Sequence, residues 1–335
     1  MPHLVFADRT FATDRALIDS LLPAGLFTVA IPESDDDATL APLLADATHL
    51  VTRARPVTAA TLAVAPQLRF VQKYGGRPDR IDRAAARAAG VTVATCPLVG
   101  CIAVAELAMT LLLALSKQLV EAHTDTVTGA YRTLGIEPKE TSQRSHGFQW
   151  MKLPHLMEVN GKTVGIIGFG EIGTEIARRA QAFNMQVRYT KRERLPAEME
   201  QLLDVEYRDR DALLAESDFV VLAMPHTAET DKLMDARALA QMRPTAYLVN
   251  ICRGGVVDED ALVAALRDGR IAGAGLDVFR YEPVPADHPL LMLPNVILTP
   301  HIGGGTGGAR EKQLQDVLAN VTRHAQGAIP RNVIA

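Results

Sequence analysis

Short runs of branched and aromatic apolar residues alternate with longer stretches of helical spacing along almost the whole chain. In the first hundred positions the candidate strands are Leu4–Ala7, Phe27–Ile31, His49–Arg53, Arg69–Tyr74 and Val91–Thr95. Helical stretches such as Thr13–Leu21 and Val57–Ala65 lie between them. That alternation predicts a parallel sheet with helices on both faces. Ile102–Val120 is the longest helical pattern of the first half. Residues Glu121–Val159 break the rhythm with Gly129, Gly135, Pro138, Gly147 and Pro154 and few periodic apolar positions. An irregular stretch of that length is usually functional or an interface arm. The alternation restarts with Thr163–Ile167, Gln186–Tyr189, Phe219–Met224, Tyr247–Cys252, Gly275–Phe279 and Val296–Thr299, and a last helix is expected from about Thr306 to Gln326. Two α/β units with a boundary near Ile102 account for the pattern most economically.

Composition narrows the function classes. The chain has 335 residues, 48% of them hydrophobic and 22% charged, with a formal net charge of −4. These values fit a globular protein of about two domains and exclude disordered, collagen-like and coiled-coil readings. A mildly acidic balance argues against nucleic acid, which needs a clustered basic face. Cys96, Cys101 and Cys252 are too few and odd in number for a secreted disulfide framework. Cys96 and Cys101 lack the second pair that a zinc site needs, so no metal is expected. The N-terminus lacks a basic start followed by an apolar run. The most apolar stretch, Val104–Leu115, contains Glu106 and falls short of the ~20 residues of a membrane helix. A soluble cytoplasmic protein with no membrane partner is expected.

Thr163–Gly173 reads TVGIIGFGEIG and runs from a buried strand through a Gly-x-Gly-x-x-Gly turn into a helix. In that context Gly168 permits the tight turn, Gly170 lets backbone approach a pyrophosphate, and Gly173 lets helix and strand pack closely. The helix N-terminus offers free N–H groups to the phosphates. Dinucleotide binding is therefore expected. The acidic residue that would bind the ribose 2′-hydroxyl about 20 positions on is missing. Lys191 and Arg192 follow the second strand instead. Two cations there suit a 2′-phosphate, so NADP is favoured over NAD. The alternative is a pair of solvated surface charges.

Further on, Arg253 follows a buried strand, Asp277 lies in or near the next one, Glu282 precedes Pro283, and His301 follows Pro300. In open α/β sheets the ligand crevice lies outside the carboxyl ends of the strands. An Arg, a Glu and a His there suit hydride transfer to a carbonyl. The His donates a proton to the developing alkoxide, the Glu keeps it protonated, and the Arg binds a carboxylate in bidentate fashion. Each residue taken alone also fits an ordinary role: a cap or surface ion pair for Arg253, a turn residue for Asp277, a loop for Glu282, a turn histidine for His301.

Taken together, Val104–Glu106, the glycine turn, Asn250–Gly254, Gly273–Phe279, Glu282-Pro283 and Thr299–His301 resemble the D-isomer-specific 2-hydroxyacid dehydrogenase family over nearly the whole chain. The resemblance implies a Rossmann dinucleotide-binding domain at 102–301 and a smaller, discontinuous flavodoxin-like substrate domain at 1–101 and 302–335. It implies His301 as acid/base, Glu282 as its partner and Arg253 as substrate anchor. The cofactor set it implies is Gly168, Gly170, Glu171, Ile172, Gly173, Lys191, Arg192, Pro225, Thr230, Cys252 and Asp277, the last on the nicotinamide side. Backbone near Gly75 and Gly76 is expected to hold the substrate carboxylate, with Tyr74 and Arg77 beside it. A homodimer with an arm around Trp150, and a glycine hinge at Gly303–Gly305, also follow by analogy.

Three departures stand out. Arg77 replaces a glycine of the first-lobe motif and could recognise a second anionic group, or be a solvated surface residue. Ala223 replaces a frequent His, and Lys191 stands at the usual acidic position. The expected activity is reduction of a small 2-keto acid. Oxidation of phosphite or formate on the same scaffold is an alternative, with Glu282 counting against formate. A cofactor-sensing, corepressor-like binding protein is the alternative of another class.

Overall fold

The computed structural model describes residues 1–77, 80–144, 147–304 and 308–335. The chain divides into two compact units, Met1–Ala103 with Thr306–Ala335, and Val104–Gly305. Pro78, Asp79 and Gly305 of the segments singled out above lie outside the described residues.

The first unit holds β1 (His3–Phe6), β2 (Thr28–Ala30), β3 (His49–Thr52), β4 (Phe70–Tyr74) and β5 (Thr92–Cys96), in the order β2-β1-β3-β4-β5. All pairs are parallel. This is the flavodoxin-like order. Every residue of β3 is buried, as a strand covered on both faces must be. Helix Ala309–Ala325 packs Leu314, Val317, Leu318 and Val321 onto Phe6, Val51 and Phe70.

The second unit holds β6 (Thr163–Ile167), β7 (Gln186–Thr190), β8 (Glu206–Tyr207), β9 (Phe219–Leu222), β10 (Tyr247–Asn250), β11 (Gly273–Leu276) and β12 (Val296–Leu298). Their order is β12-β11-β10-β9-β6-β7-β8, all parallel. The order reverses between β6 and β9, which is the switch point of a Rossmann sheet. Asp209, Asp235 and Asp258 each accept a backbone N–H three residues on and so start the helices on this sheet.

Several expectations need correction. The long helical pattern is two helices, Val99–Ser116 and Leu119–Thr128, separated by Gln118 in the left-handed region. The second helix runs into the stretch expected to be irregular. It has no buried residue, and its large apolar residues Leu119, Val120 and Val127 are exposed. The last helix is described over Ala309–Ala325, and Thr306, where it was expected to begin, lies outside the described residues. Strand β8 is two residues long and gives no periodic signal. Helix Val99–Ser116 is also long and apolar enough to cross a membrane by length and composition, contrary to expectation. Its Ala105, Ala108, Leu111, Leu112 and Leu115 pack into the core around β6 and β9, as a core helix does.

Candidate active site

The turn after β6 is shaped by close approach. Gly168 has φ +92°, and a Cβ on it would lie 2.6 Å from the Ala223 carbonyl oxygen, just past β9. A Cβ on Gly173 would lie 2.8 Å from the Gly168 carbonyl oxygen, so helix and strand pack with no side chain between them. Gly170 differs: a Cβ there would meet nothing within 4 Å. It caps helix Glu171–Ala182, so the open space lies over the N–H groups of the first turn. A pyrophosphate fits such a cradle, since anions are favoured where backbone N–H groups are unpaired. Glu171 and Ile172 form that first turn, and Ile172 also packs on the core.

Lys191 and Arg192 follow β7 directly. Arg192 is exposed and lies 3.7 Å from Glu229, which belongs to the turn that Thr230 closes. There the Thr230 hydroxyl donates to the Pro225 carbonyl at 2.8 Å and accepts the Thr227 N–H at 2.7 Å. The chain beyond Arg192 is pinned. Arg194 donates to both oxygens of Glu200 at 2.8 Å, and the Tyr189 hydroxyl donates to the same carboxylate at 2.6 Å while accepting the Leu195 N–H at 2.9 Å. Hydrogen bonding from Arg194 holds Glu200 below the usual carboxylate range.

Asn250 ends β10 and frames the next turn. Its side chain accepts the Cys252 N–H and donates to the Arg253 carbonyl, both at 3.1 Å. The Cys252 thiol is buried against Asn250, and burial pushes its pKa up. The Arg253 side chain is exposed and donates to the Cys252 carbonyl at 2.5 Å. Gly254 is obligatory in this packing, because a Cβ would lie 1.9 Å from the Phe279 carbonyl carbon. The turn carrying Arg253 therefore touches the turn after β11 backbone to backbone. In that second turn the Phe279 N–H donates to Glu282 Oε1 at 3.0 Å, and Glu282 Oε2 meets His301 Nδ1 at 2.7 Å. Burial raises the Glu282 pKa, but the His301 hydrogen bond, the Phe279 N–H and the charges of His301 and Arg253 outweigh it. The net value is below the ordinary one. Glu282, His301, Phe279 and Leu298 help to line a hollow of about 430 Å³.

His301 sits at φ +56°, in the left-handed region that disfavours side chains. Asp277 holds it there. This carboxylate is 2% exposed. It accepts the Thr299 hydroxyl at 2.6 Å and the N–H groups of Ile302 and Gly303 at 2.9 Å each. Both its oxygens are thus engaged by the loop carrying His301.

In the first unit, Tyr74 is half-buried at the end of β4. Gly75 has φ +139°, and its N–H donates to the Cys96 carbonyl at 2.8 Å. That N–H thus extends the sheet beyond β4. Gly76 is buried, and Arg77 is half-buried rather than fully solvated. Among the described residues no His, Cys, Asp or Glu cluster could hold a metal ion.

The description of the D-isomer specific 2-hydroxyacid dehydrogenase NAD-binding domain matches residues 109–303. The chain belongs to this family. A glyoxylate reductase of Thermococcus gammatolerans is 45% identical over 271 residues, covering 81% of this chain and 77% of that protein. A glyoxylate reductase structure from Paecilomyes thermophila superposes with a TM-score of 0.55 at 27% identity, covering 99% of this chain and 98% of that one. An NADPH-dependent glyoxylate/hydroxypyruvate reductase from Sinorhizobium meliloti, in complex with citrate, gives a TM-score of 0.53 at 26% identity, covering 100% and 97%.

Within this family member, the unit Val104–Gly305 brings Arg253, Glu282 and His301 onto adjoining turns at the carboxyl ends of β10, β11 and β12. Sequence reasoning did not single out Asn250, Gly254, Phe279 or Thr299 as functional. All four stood inside recognised motifs, and a buried amide at a strand end is the signal that would have marked Asn250.

Proposed function

We propose that the chain reduces a small 2-keto acid with a nicotinamide cofactor, with His301 as the proton donor. The observation carrying this reading is the 2.7 Å Glu282–His301 contact, which engages Nδ1 and leaves Nε2 for the substrate. The contact orients the ring, so that Nε2 is the atom that passes a proton to the carbonyl oxygen as it gains charge. Arg253, on the adjoining turn, binds the substrate carboxylate and polarises the neighbouring carbonyl. Asp277 keeps the His301 loop fixed without touching substrate. When bound, the nicotinamide supplies the hydride; Gly168, Gly170 and Gly173 with the helix at Glu171 would hold its pyrophosphate.

Glyoxylate is the substrate we favour, on the strength of the glyoxylate reductase relatives. NADP is favoured over NAD because Lys191 and Arg192 follow β7 where an acidic residue would select NAD. His301→Ala is expected to lower kcat by about 10²–10⁴ while leaving cofactor affinity within about twofold. An unchanged kcat in steady-state glyoxylate reduction would overturn the assignment.

A further inference from the structure

Phe279 and Arg280 are consecutive, and each donates its backbone N–H to a carboxylate. The Phe279 N–H goes to Glu282 Oε1 at 3.0 Å, and the Arg280 N–H goes to Glu259 Oε1 at 2.6 Å. Glu259 opens helix Glu259–Arg267, 21 positions earlier in the chain. Acidic groups suit a helix N-terminus, which accounts for a carboxylate at that place but not for its direction. Capping is already done by Asp258, which accepts the Ala261 N–H. The Glu259 side chain turns instead to Arg280 and to His288, whose Nε2 lies 3.3 Å from Glu259 Oε2. His288 Nδ1 accepts the Leu290 N–H at 3.3 Å, so the ring proton sits on Nε2 and donates to Glu259. The two side chains are mostly covered, Glu259 10% and His288 17% exposed, and Leu290 is fully buried in the core. His288 is thus anchored beside the core, and Glu259 is oriented by it.

The Gly254 seam alone does not hold the 279–282 turn. A Cβ on Gly254 would lie 2.3 Å from the Arg280 nitrogen. Contact that close stops the turn from moving toward Arg253, yet it resists nothing in the opposite direction. Glu259 supplies the missing attraction, as a charge-assisted hydrogen bond from main chain.

We propose that Glu259, oriented by His288, is a positioning residue for the reaction: it holds the 279–282 turn against Gly254 and so holds Glu282 at His301, an inference that rests on reading His301 as the proton donor. Its effect passes through Glu282 and not through contact with substrate. A Gln at position 259 is nearly isosteric, yet its amide cannot serve both neighbours. With its oxygen on the Arg280 N–H, its NH₂ faces the His288 N–H, donor against donor.

The test is a double-mutant cycle in the full chain, built from Glu259→Gln, Glu282→Gln and both together, read by steady-state glyoxylate reduction with Tm alongside. Glu259→Gln is expected to lower kcat about tenfold with KM for glyoxylate within about twofold, the pattern of a misplaced group rather than a lost binding contact. In the Glu282→Gln background the same substitution costs less than about twofold, because no Glu282 contact is left to misplace. Asp235→Ala, which uncaps helix Ala236–Gln241, is the control: it lowers Tm and leaves kcat within about twofold. Unchanged kcat in Glu259→Gln, an equal loss in both backgrounds, or the same loss of kcat in Asp235→Ala overturns the positioning role. If Glu259→Gln does not fold, His288→Phe, which removes the donor to Glu259, takes its place in the cycle with the same criteria. If the chain reduces no 2-keto acid, the proposed function falls, and the positioning is read without turnover in the ¹⁵N-histidine-labelled chain. There the His301 ring signals, assigned with His301→Gln, are expected to move in Glu259→Gln and to stay in place in Asp235→Ala. Signals that Glu259→Gln leaves unmoved overturn it.

Discussion

Past the end of β11, Asp277 is buried with three donors on its two oxygens, all from the loop that carries His301. Past the end of β3, Arg53 is exposed with a tyrosine ring against it and no carboxylate partner among the described residues. Both are charged groups following the carboxyl end of a parallel strand, yet they are built oppositely. A buried, saturated carboxylate fixes geometry, because any displacement of the loop leaves a desolvated polar group unpaired. An exposed cation fixes little and can be exchanged at small cost to the fold. The loop of the proposed proton donor rests on the first kind of support.

Asp277→Asn is the sharpest way to break that comparison. The amide end of Asn presents a donor where Ile302, Gly303 or Thr299 already donates. The cost is about 1–3 kcal/mol. We expect Tm to fall by several degrees and kcat by about tenfold to a hundredfold, with cofactor affinity little changed. Calorimetry and steady-state kinetics read both, and a variant matching the unmodified chain in each would show that the loop needs no such anchor.

A smaller effect is expected at Lys191 and Arg192, where support is intermediate. The backbone after them is clamped by the Arg194–Glu200 pair and Tyr189, while Lys191 is half-buried and Arg192 exposed. Replacing both with Ala should lower kcat/KM for NADPH about tenfold and leave that for NADH within about twofold, the size expected for charge-assisted hydrogen bonds to a phosphate. Equal losses with the two cofactors, or a preference for NADH in the unmodified chain, would remove these residues from the selection of cofactor.

The smallest effect concerns the first unit's interior. His49 is buried against Phe27 and Phe70, and its Nε2 lies 3.0 Å from His324 Nδ1. Burial, and then the neighbouring His324, lower its pKa from 6.5 to about 4. The unfolded chain binds a proton here as pH falls through about 6.5, while the folded chain resists until about 4. Stability is therefore complete above the unfolded value and declines between pH 6.5 and 4. Tm measured across that window should drop by a few degrees, and His49→Gln should flatten the slope. An identical slope in the variant would place the pH sensitivity elsewhere.

Most strands were legible because buried parallel strands are continuous β-branched runs, and β6 matches the expected Thr163–Ile167 at both ends. The glycine turn was legible for a related reason: three positions with different steric demands fall at fixed spacing between a strand and a helix. What stayed hidden depended on partners far away in sequence. That the Gly75 N–H pairs with the Cys96 carbonyl is one such case. The part Asp277 plays in holding its loop was not legible, because a sequence shows a carboxylate but not the hydroxyl and amides that donate to it from 22 to 26 positions away. Helix Leu119–Thr128 was missed because it buries nothing, so tertiary packing left no imprint on its residues.

The contact at Gly254 has a consequence for how such an enzyme can change. Where two loops meet through side chains, substitution can lengthen or shorten the gap between them by a methylene at a time. Here main chain rests on main chain, 1.9 Å from where a Cβ would begin. The spacing between Arg253 and the Glu282 turn is thus a fixed dimension of the molecule, with no spacer to edit. New substrates have to be accommodated by changing residues away from this seam.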